Sequence, residues 1–281
     1  MTGATISDQR TEIAVNLTRY QSWGNLSATV ESSHEQDYDA LGLKLAASYE
    51  FNRQQSIVDY GISYSSDTLE PTDADLYGRI KKADKDSLSV FASITQIINQ
   101  QSQVKLGLGY SSYHGFLSDP YKLRDIRPRE RDQISVSAQY RKYLAGPAAA
   151  LHVDYRYYTD DYDIDAHTLR IAWHQNIGNN LTITPSVRYY SQSEAGFYKL
   201  IDDFSLPDSV AQSSDYRLSA YGAITYGLTV SYQLPIVESG RLSLAIEHYQ
   251  ADSDYSHDKP NIAHPGLIEF TLALVGISVK I

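Results

Sequence analysis

Four arginines stand out as residues able to do chemistry: Arg156, Arg170, Arg188 and Arg217, spread through a stretch rich in tyrosine and aspartate. A guanidinium stays charged at any ordinary pH and grips carboxylate or phosphate with two parallel hydrogen bonds. Brought to one level on one face, four of them would make an anion site, and rings of charge are how pores select ions. Asp154, Asp215 and Glu247 lie close by in the chain. The arginines could therefore serve equally as internal bracing, paired with these acids.

Two further constellations invite a chemical reading. Asp160, Asp161, Asp163 and Asp165 crowd one short segment, and alternating aspartates are the hard oxygen donors of calcium loops. Ala166 occupies the place where a calcium loop of the helix–loop–helix type needs Gly, and no Glu follows at the twelfth position. A solvated acidic loop is the plainer expectation, with a weak divalent-cation site at Asp161, Asp163 and Asp165 as the sharper one. Asp165-Ala166-His167 places a carboxylate and an imidazole on one strand face, the equipment of a general base. No nucleophile or oxyanion donor is evident beside it. His152 and His174 are expected on the inner face. Tyr158 and Tyr190, also expected inside, could stack a sugar or an aromatic ligand. No Gly-rich phosphate loop, nucleophile elbow or zinc-binding HExxH string occurs.

These residues need strands to hold them, and the chain supplies strands from end to end. Leu41, Leu43, Leu45, Ala47, Tyr49 and Phe51 alternate with Gly42, Lys44, Ala46, Ser48 and Glu50. The same rhythm returns at Val104, Leu106, Leu108 and Tyr110, at Ile134, Val136, Ala138 and Tyr140, and at Leu151, Val153, Tyr155 and Tyr157. Period-two alternation puts one set on each face of a strand. Apolar residues ending in tyrosine on one face, with Lys, Arg, Glu, Ser and Thr on the other, describe a transmembrane β-barrel with aromatic girdles. The expected fold class is all-β: an antiparallel up-and-down barrel in the bacterial outer membrane.

Composition agrees. The 281 residues include 24 Tyr, one Met and no Cys, so thiolate chemistry and disulfides are excluded. Mean hydropathy is -0.38, and no run approaches the roughly 18 apolar residues of a spanning helix. A net charge of -10 argues against a nucleic-acid partner.

Strands are expected at 11–20, 24–33, 41–51, 56–66, 86–97, 103–113, 132–143, 148–159, 166–177, 180–191, 214–234, 240–250 and 266–281. Short connections are expected to alternate with long ones at 67–85, 114–131, 193–213 and 251–265, the long ones facing outward. Tyr64, Tyr110, Tyr113, Tyr157, Tyr189 and Tyr216 fall at the long-loop ends, where girdle anchoring explains them. An odd strand count is unusual for a single-chain bacterial barrel, so at least one N-terminal strand is expected to be missing from residues 1–281, read as one barrel domain. The first residues have neither a basic n-region nor an apolar h-region, so an export signal is expected to have been removed or to lie upstream.

The strings LSDPYK (117–122), RPRERDQ (127–133), TDDYDIDAHTL (159–169), VRYYSQSEAGFY (187–198) and SDYRLSAYGAITYGL (214–228) together resemble a bacterial outer-membrane family catalogued as domain of unknown function 3570. The likeness runs along nearly the whole chain, and it implies further barrel sequence ahead of Thr2 and about sixteen strands in all. It brings no activity and no catalytic residue. The ending Gly276 to Ile281 resembles the C-terminal signal of the barrel-assembly machinery, with Ile281 where Phe is usual. The expected function is a conduit or binding barrel for small, anionic solutes, or a scaffold for an envelope complex. A rim-located outer-membrane hydrolase and a structural or adhesive surface protein are the alternatives. Expected partners are outer-membrane lipid and lipopolysaccharide, the assembly machinery and the solute; no cofactor is called for.

Overall fold

The computed structural model describes residues 9–234, 240–260 and 262–279. The last two residues of the assembly-signal reading, and the connection 235–239, lie outside them. Thirteen strands form one antiparallel sheet in which each strand pairs with its neighbours in sequence, β1 through β13. They are β1 Thr11–Gln21, β2 Gly24–His34, β3 Tyr38–Phe51, β4 Ser56–Leu69, β5 Ala83–Asn99, β6 Ser102–Gly115, β7 Glu130–Leu144, β8 Ala149–Asp160, β9 Asp165–Ile177, β10 Leu181–Gln192, β11 Tyr221–Leu234, β12 Gly240–Asp252 and β13 Glu269–Ser278. A single helical turn, α1 Ala74–Tyr77, sits in the β4–β5 connection. Most strands exceed the roughly 9–11 residues that cross a bilayer, and β5 reaches 17.

The alternation does what it promised. Leu41, Leu43 and Leu45 are 59, 47 and 47% exposed, and rows of Leu, Ile, Val and Tyr on the other strands are open in the same way. Such a surface would be costly in water; against lipid tails it is the stable face. Cross-strand partners keep the faces apart: Val30 pairs with Leu43, and Leu43 with Tyr64, while Thr29, Lys44 and Ser63 fill the opposite face. At the β1–β2 turn the chain passes so close to β3 that a Cβ on Gly24 would lie 1.9 Å from the Ser48 carbonyl oxygen.

The chain divides into two compact units. The first comprises Met1–Ser93, Leu108–Ile134 and Ile201–Ser214. Its loops are tied together by the Ile126–Gln212 bridge, with both backbone bonds at 2.8 Å, and by Lys122, which reaches Asp202 at 3.2 Å and Ser214 at 2.7 Å. Arg124 pairs with Asp208 there, and Gln212 and Ser213 are wholly buried. The second unit comprises Ile94–Gly107, Ser135–Leu200 and Asp215–Ile281. Small Ala149, Ala172 and Ala223 are buried on its strands themselves, and its larger buried apolar side chains, Tyr162, Ile164 and Leu218, lie in the connections beyond the strand ends. Gln192 stitches this cap by donating to the carbonyls of Arg217 (2.9 Å) and Ser219 (2.7 Å).

The structure corrects the strand reading at one place. Residues 214–220 are not strand: a 3₁₀ turn, Tyr216–Leu218, forms because the Asp215 carboxylate accepts from the Arg217 amide at 3.0 Å, an N-cap that ends any extended conformation. The four long connections occur where expected, at 70–82, 116–129, 193–220 and 253–268, while β2–β3 and β8–β9 are joined through 35–37 and 161–164 alone. Pro185 sits inside β10, and the β9–β10 register runs from Leu181↔Ile177 to Ile183↔Gln175 and resumes at Ser186↔Ala172, because proline has no N–H to give the ladder.

Candidate functional site

Three of the four arginines share the inner, polar face of successive strands in the second unit. Arg170 on β9 and Arg188 on β10 are direct ladder partners, and Asp154 on β8 stands on the other side of Arg170. Arg156 pairs with Thr168, one inner position nearer the long connections, about 7 Å along the strand. The fourth is elsewhere. Arg217 lies on the 3₁₀ turn, its guanidinium held by Asp215 at 2.5–3.0 Å. Its expected place on a strand is overturned by the cap that Asp215 builds.

Of the acids expected as braces, Asp215 does hold one of the four arginines, Arg217, whereas Asp154 and Glu247 do not pair with the other three among the described residues. Asp154 is engaged by Arg141 of β7 at 2.5 Å, and Arg141 also donates to the Val153 carbonyl at 3.2 Å. Arg141 was not singled out in the sequence, although its parity on β7, opposite to that of Val136 and Tyr140, would have marked it as inward. Glu247 faces Gly227 across β11–β12 and forms no ion pair among the described residues. Arg170, Arg188 and Arg156 are thus without a carboxylate among the described residues. Arg156 and Arg188 lean instead on the rings of Tyr158 and Tyr190, each 5.7 Å away. Like charges opposite one another on one sheet face repel. An anion between Arg170 and Arg188 relieves it.

Tyr158 and Tyr190 point inward as expected, with their hydroxyls engaged by Asp160 (2.6 Å) and Gln192 (2.5 Å). His152 and His174 also face inward, their ring centroids 4.1 Å apart. Thr184 meets His174 Nδ1 at 3.1 Å, while His174 Nε2 is buried without a hydrogen-bond partner.

The aspartate cluster proves to be turn architecture. Asp160 Oδ1 accepts from the amides of Tyr162 (3.0 Å) and Ile164 (3.1 Å), closing the tight β8–β9 connection. Asp163 takes a left-handed conformation, φ 68°, and Asp165 accepts from the Tyr157 hydroxyl at 2.6 Å. Among the described residues no group of three or more His, Asp or Glu side chains could hold a metal ion. Asp161, Asp163 and Asp165 are thus not gathered into a common cluster among the described residues.

The Asp165–His167 pair does not form either. His167 shares the outward face with Leu169 and Ile171, and its Nδ1 meets the Tyr155 hydroxyl at 2.8 Å. With the rings of Tyr157 (5.2 Å) and His257 (6.1 Å) it belongs to an aromatic band. Tyr216, expected in such a band, lies on the 3₁₀ turn beside His264, 6.1 Å away. In the 193–220 connection, burial pushes the Tyr198 phenol up to about 12, with the negative charge of Glu194 adding to it.

A family model described as a protein of unknown function (DUF3570) matches residues 2–265. The chain belongs to this family. No curated protein matches it in sequence. Among solved structures, CdiB from Acinetobacter baumannii aligns with a TM-score of 0.52 and 13% identity, over 96% of this chain and 53% of that one. The siderophore receptor PirA from Pseudomonas aeruginosa gives a TM-score of 0.56 and 7% identity over 87% of this chain and 46% of its own. The ferric citrate transporter FecA, in its unliganded form, gives 0.57 and 12% over 98% and 53%. This family member spans about half the length of these structures. Its fold is that of outer-membrane β-barrel proteins.

Proposed function

We propose that the chain works in the bacterial outer membrane as the wall of a conduit or binding barrel for small anionic solutes. Residues 1–281 then form one barrel-type domain, inserted by the barrel-assembly machinery, with its apolar rows against lipid and lipopolysaccharide. The observation that carries the reading is the Arg170–Arg188 rung, with Arg156 one step above it and Asp154 already held by Arg141. A face of positive charge without a neutralising acid among the described residues is an electrostatic trap for anions. A solute carboxylate or phosphate would complete the bidentate bonds the arginines lack.

A hydrolase at the rim finds no support in this geometry, because the carboxylate of Asp165 engages Tyr157 and the imidazole of His167 faces the aromatic band. That PirA is a siderophore receptor and FecA a ferric citrate transporter accords with a conduit without assigning one. The test is conductance in a planar bilayer under a salt gradient. The wild-type chain is expected to prefer anions, and Arg170→Glu with Arg188→Glu should shift the reversal potential towards cation preference. A wild type that does not conduct or prefers cations, or a conducting double variant with unchanged selectivity, would contradict the proposal.

A further inference from the structure

Between the arginine rung and the short turns, the inner face of β9–β12 hollows into a polar basin of about 660 Å³, within the range of small-solute sites. Arg170 stands at its upper end and Arg241 at its lower end. Arg241 pairs in the ladder with Gln233, and Arg170 lies on the rung of Thr225. Those two rungs are about 27 Å apart along the strand. Between them the wall is built of hydroxyls and amides: Thr182 opposite Ser231, and Thr184 opposite Thr229. Thr184 is held in place by Nδ1 of His174 at 3.1 Å, and His174 lines the basin beside it. Among the described residues no carboxylate lines the basin, and neither Arg170 nor Arg241 has an ion pair.

Each part of this wall selects for something different. The two guanidiniums call for acid groups that are separated along the solute, since a small compact anion could satisfy only one of them. The belt of Thr, Ser and Gln side chains offers donors and acceptors to a polyhydroxylated body and little to an apolar one. Uncharged hydroxyl and amide partners also reward a correct solute strongly, because a solute lacking hydroxyls would leave them desolvated and unpaired. Pro185 interrupts the β9–β10 ladder beside Thr184, having no N–H to give it.

We propose that this basin is a binding site for an acidic saccharide, an elongated sugar chain carrying carboxylate or phosphate groups. The inference deepens the anion-solute reading above and rests on it for the sign of the charge. Arg241 holds the acid group nearest the short turns, Arg170 the one nearest the long connections, and the hydroxyl belt takes the sugar hydroxyls between them.

Calorimetric titration of the detergent-solubilised full chain with three probes tests it: trigalacturonate, neutral maltotriose, and tripolyphosphate, an anion without a sugar body. Trigalacturonate is expected to bind at least tenfold more tightly than either of the others. Arg241→Gln should weaken it about tenfold, and Thr229→Val about threefold, with the heat-modifiable band on a semi-native gel retained. If Arg241→Gln fails to fold, Thr229→Val with Ser231→Ala carries the same expected loss. Tripolyphosphate binding as well as trigalacturonate, or unchanged trigalacturonate affinity in a folded basin variant, would overturn the inference. An anion-selective chain that binds no trigalacturonate would overturn the basin and leave the conduit. Basin-dependent binding by a cation-selective chain would do the reverse.

Discussion

The inner face of β3–β5 and the inner face of β8–β10 follow the same alternation yet treat charge in opposite ways. On the first, Asp67 is 5% exposed and fully attended: Lys85 lies 2.9 Å away, and Tyr38 and Ser65 donate to it. Asp59 likewise receives Ser48 at 2.9 Å and Ser93 at 3.1 Å. On the second, Arg141 takes Asp154, and Arg156, Arg170 and Arg188 form no ion pair among the described residues, Arg156 and Arg188 lying against two tyrosine rings. A closed network stabilises a wall, whereas an open one stores an affinity for something else. The two faces teach that inward charge in such a sheet is not one category.

That contrast can be broken most sharply on the paired side. Lys85→Ala strands a buried carboxylate, and should cost about 2–4 kcal/mol. Arg170→Ala removes a charge that has no partner and one member of a repelling pair, so its effect should stay within about 1 kcal/mol of zero. Urea unfolding followed by the heat-modifiable band gives both numbers, and equal costs would dissolve the distinction. A smaller effect sharpens it. Arg141→Ala frees Asp154, which stands opposite Arg170 in the ladder. Stability should fall by about 1 kcal/mol, since this pair is only partly buried, while the released acid neutralises Arg170 and reduces the anion preference in the bilayer. Unchanged selectivity would mean that Asp154 never competes with solute.

Much of this was legible in the sequence, and the reasons differ by residue. Period two is a local property, so thirteen strands could be read directly, most of them to within a few residues. The misread segment is instructive: Ser214 to Ala220 alternates polar and apolar as a strand would, but Asp215 can cap a turn, and that hydrogen bond outweighs the pattern. Asp160 misleads for the same reason, since its short carboxylate takes the nearest amides, those of Tyr162 and Ile164. Inward parity of Arg156, Arg170 and Arg188 follows from alternation. The rung that pairs Arg170 with Arg188 does not, because register depends on the geometry of the intervening turn. Arg241 and Arg141 carried the same parity signal, yet nothing local shows which arginine will find an acid. That is decided by pairing across strands.

The central claim is that the Arg170–Arg188 rung holds an anion which the protein does not supply. Its most direct test is the thermal stability of the wild-type chain and of the Arg170→Ala/Arg188→Ala variant, with and without low-millimolar citrate, a concentration too small for bulk solvent effects. A site that binds only the folded state gains about 1.4 kcal/mol when the anion is at ten times its Kd. The wild type should therefore melt several degrees higher in citrate, and the double variant should melt at one temperature in both buffers. A wild type indifferent to citrate, or a double variant stabilised just as much, would contradict the claim.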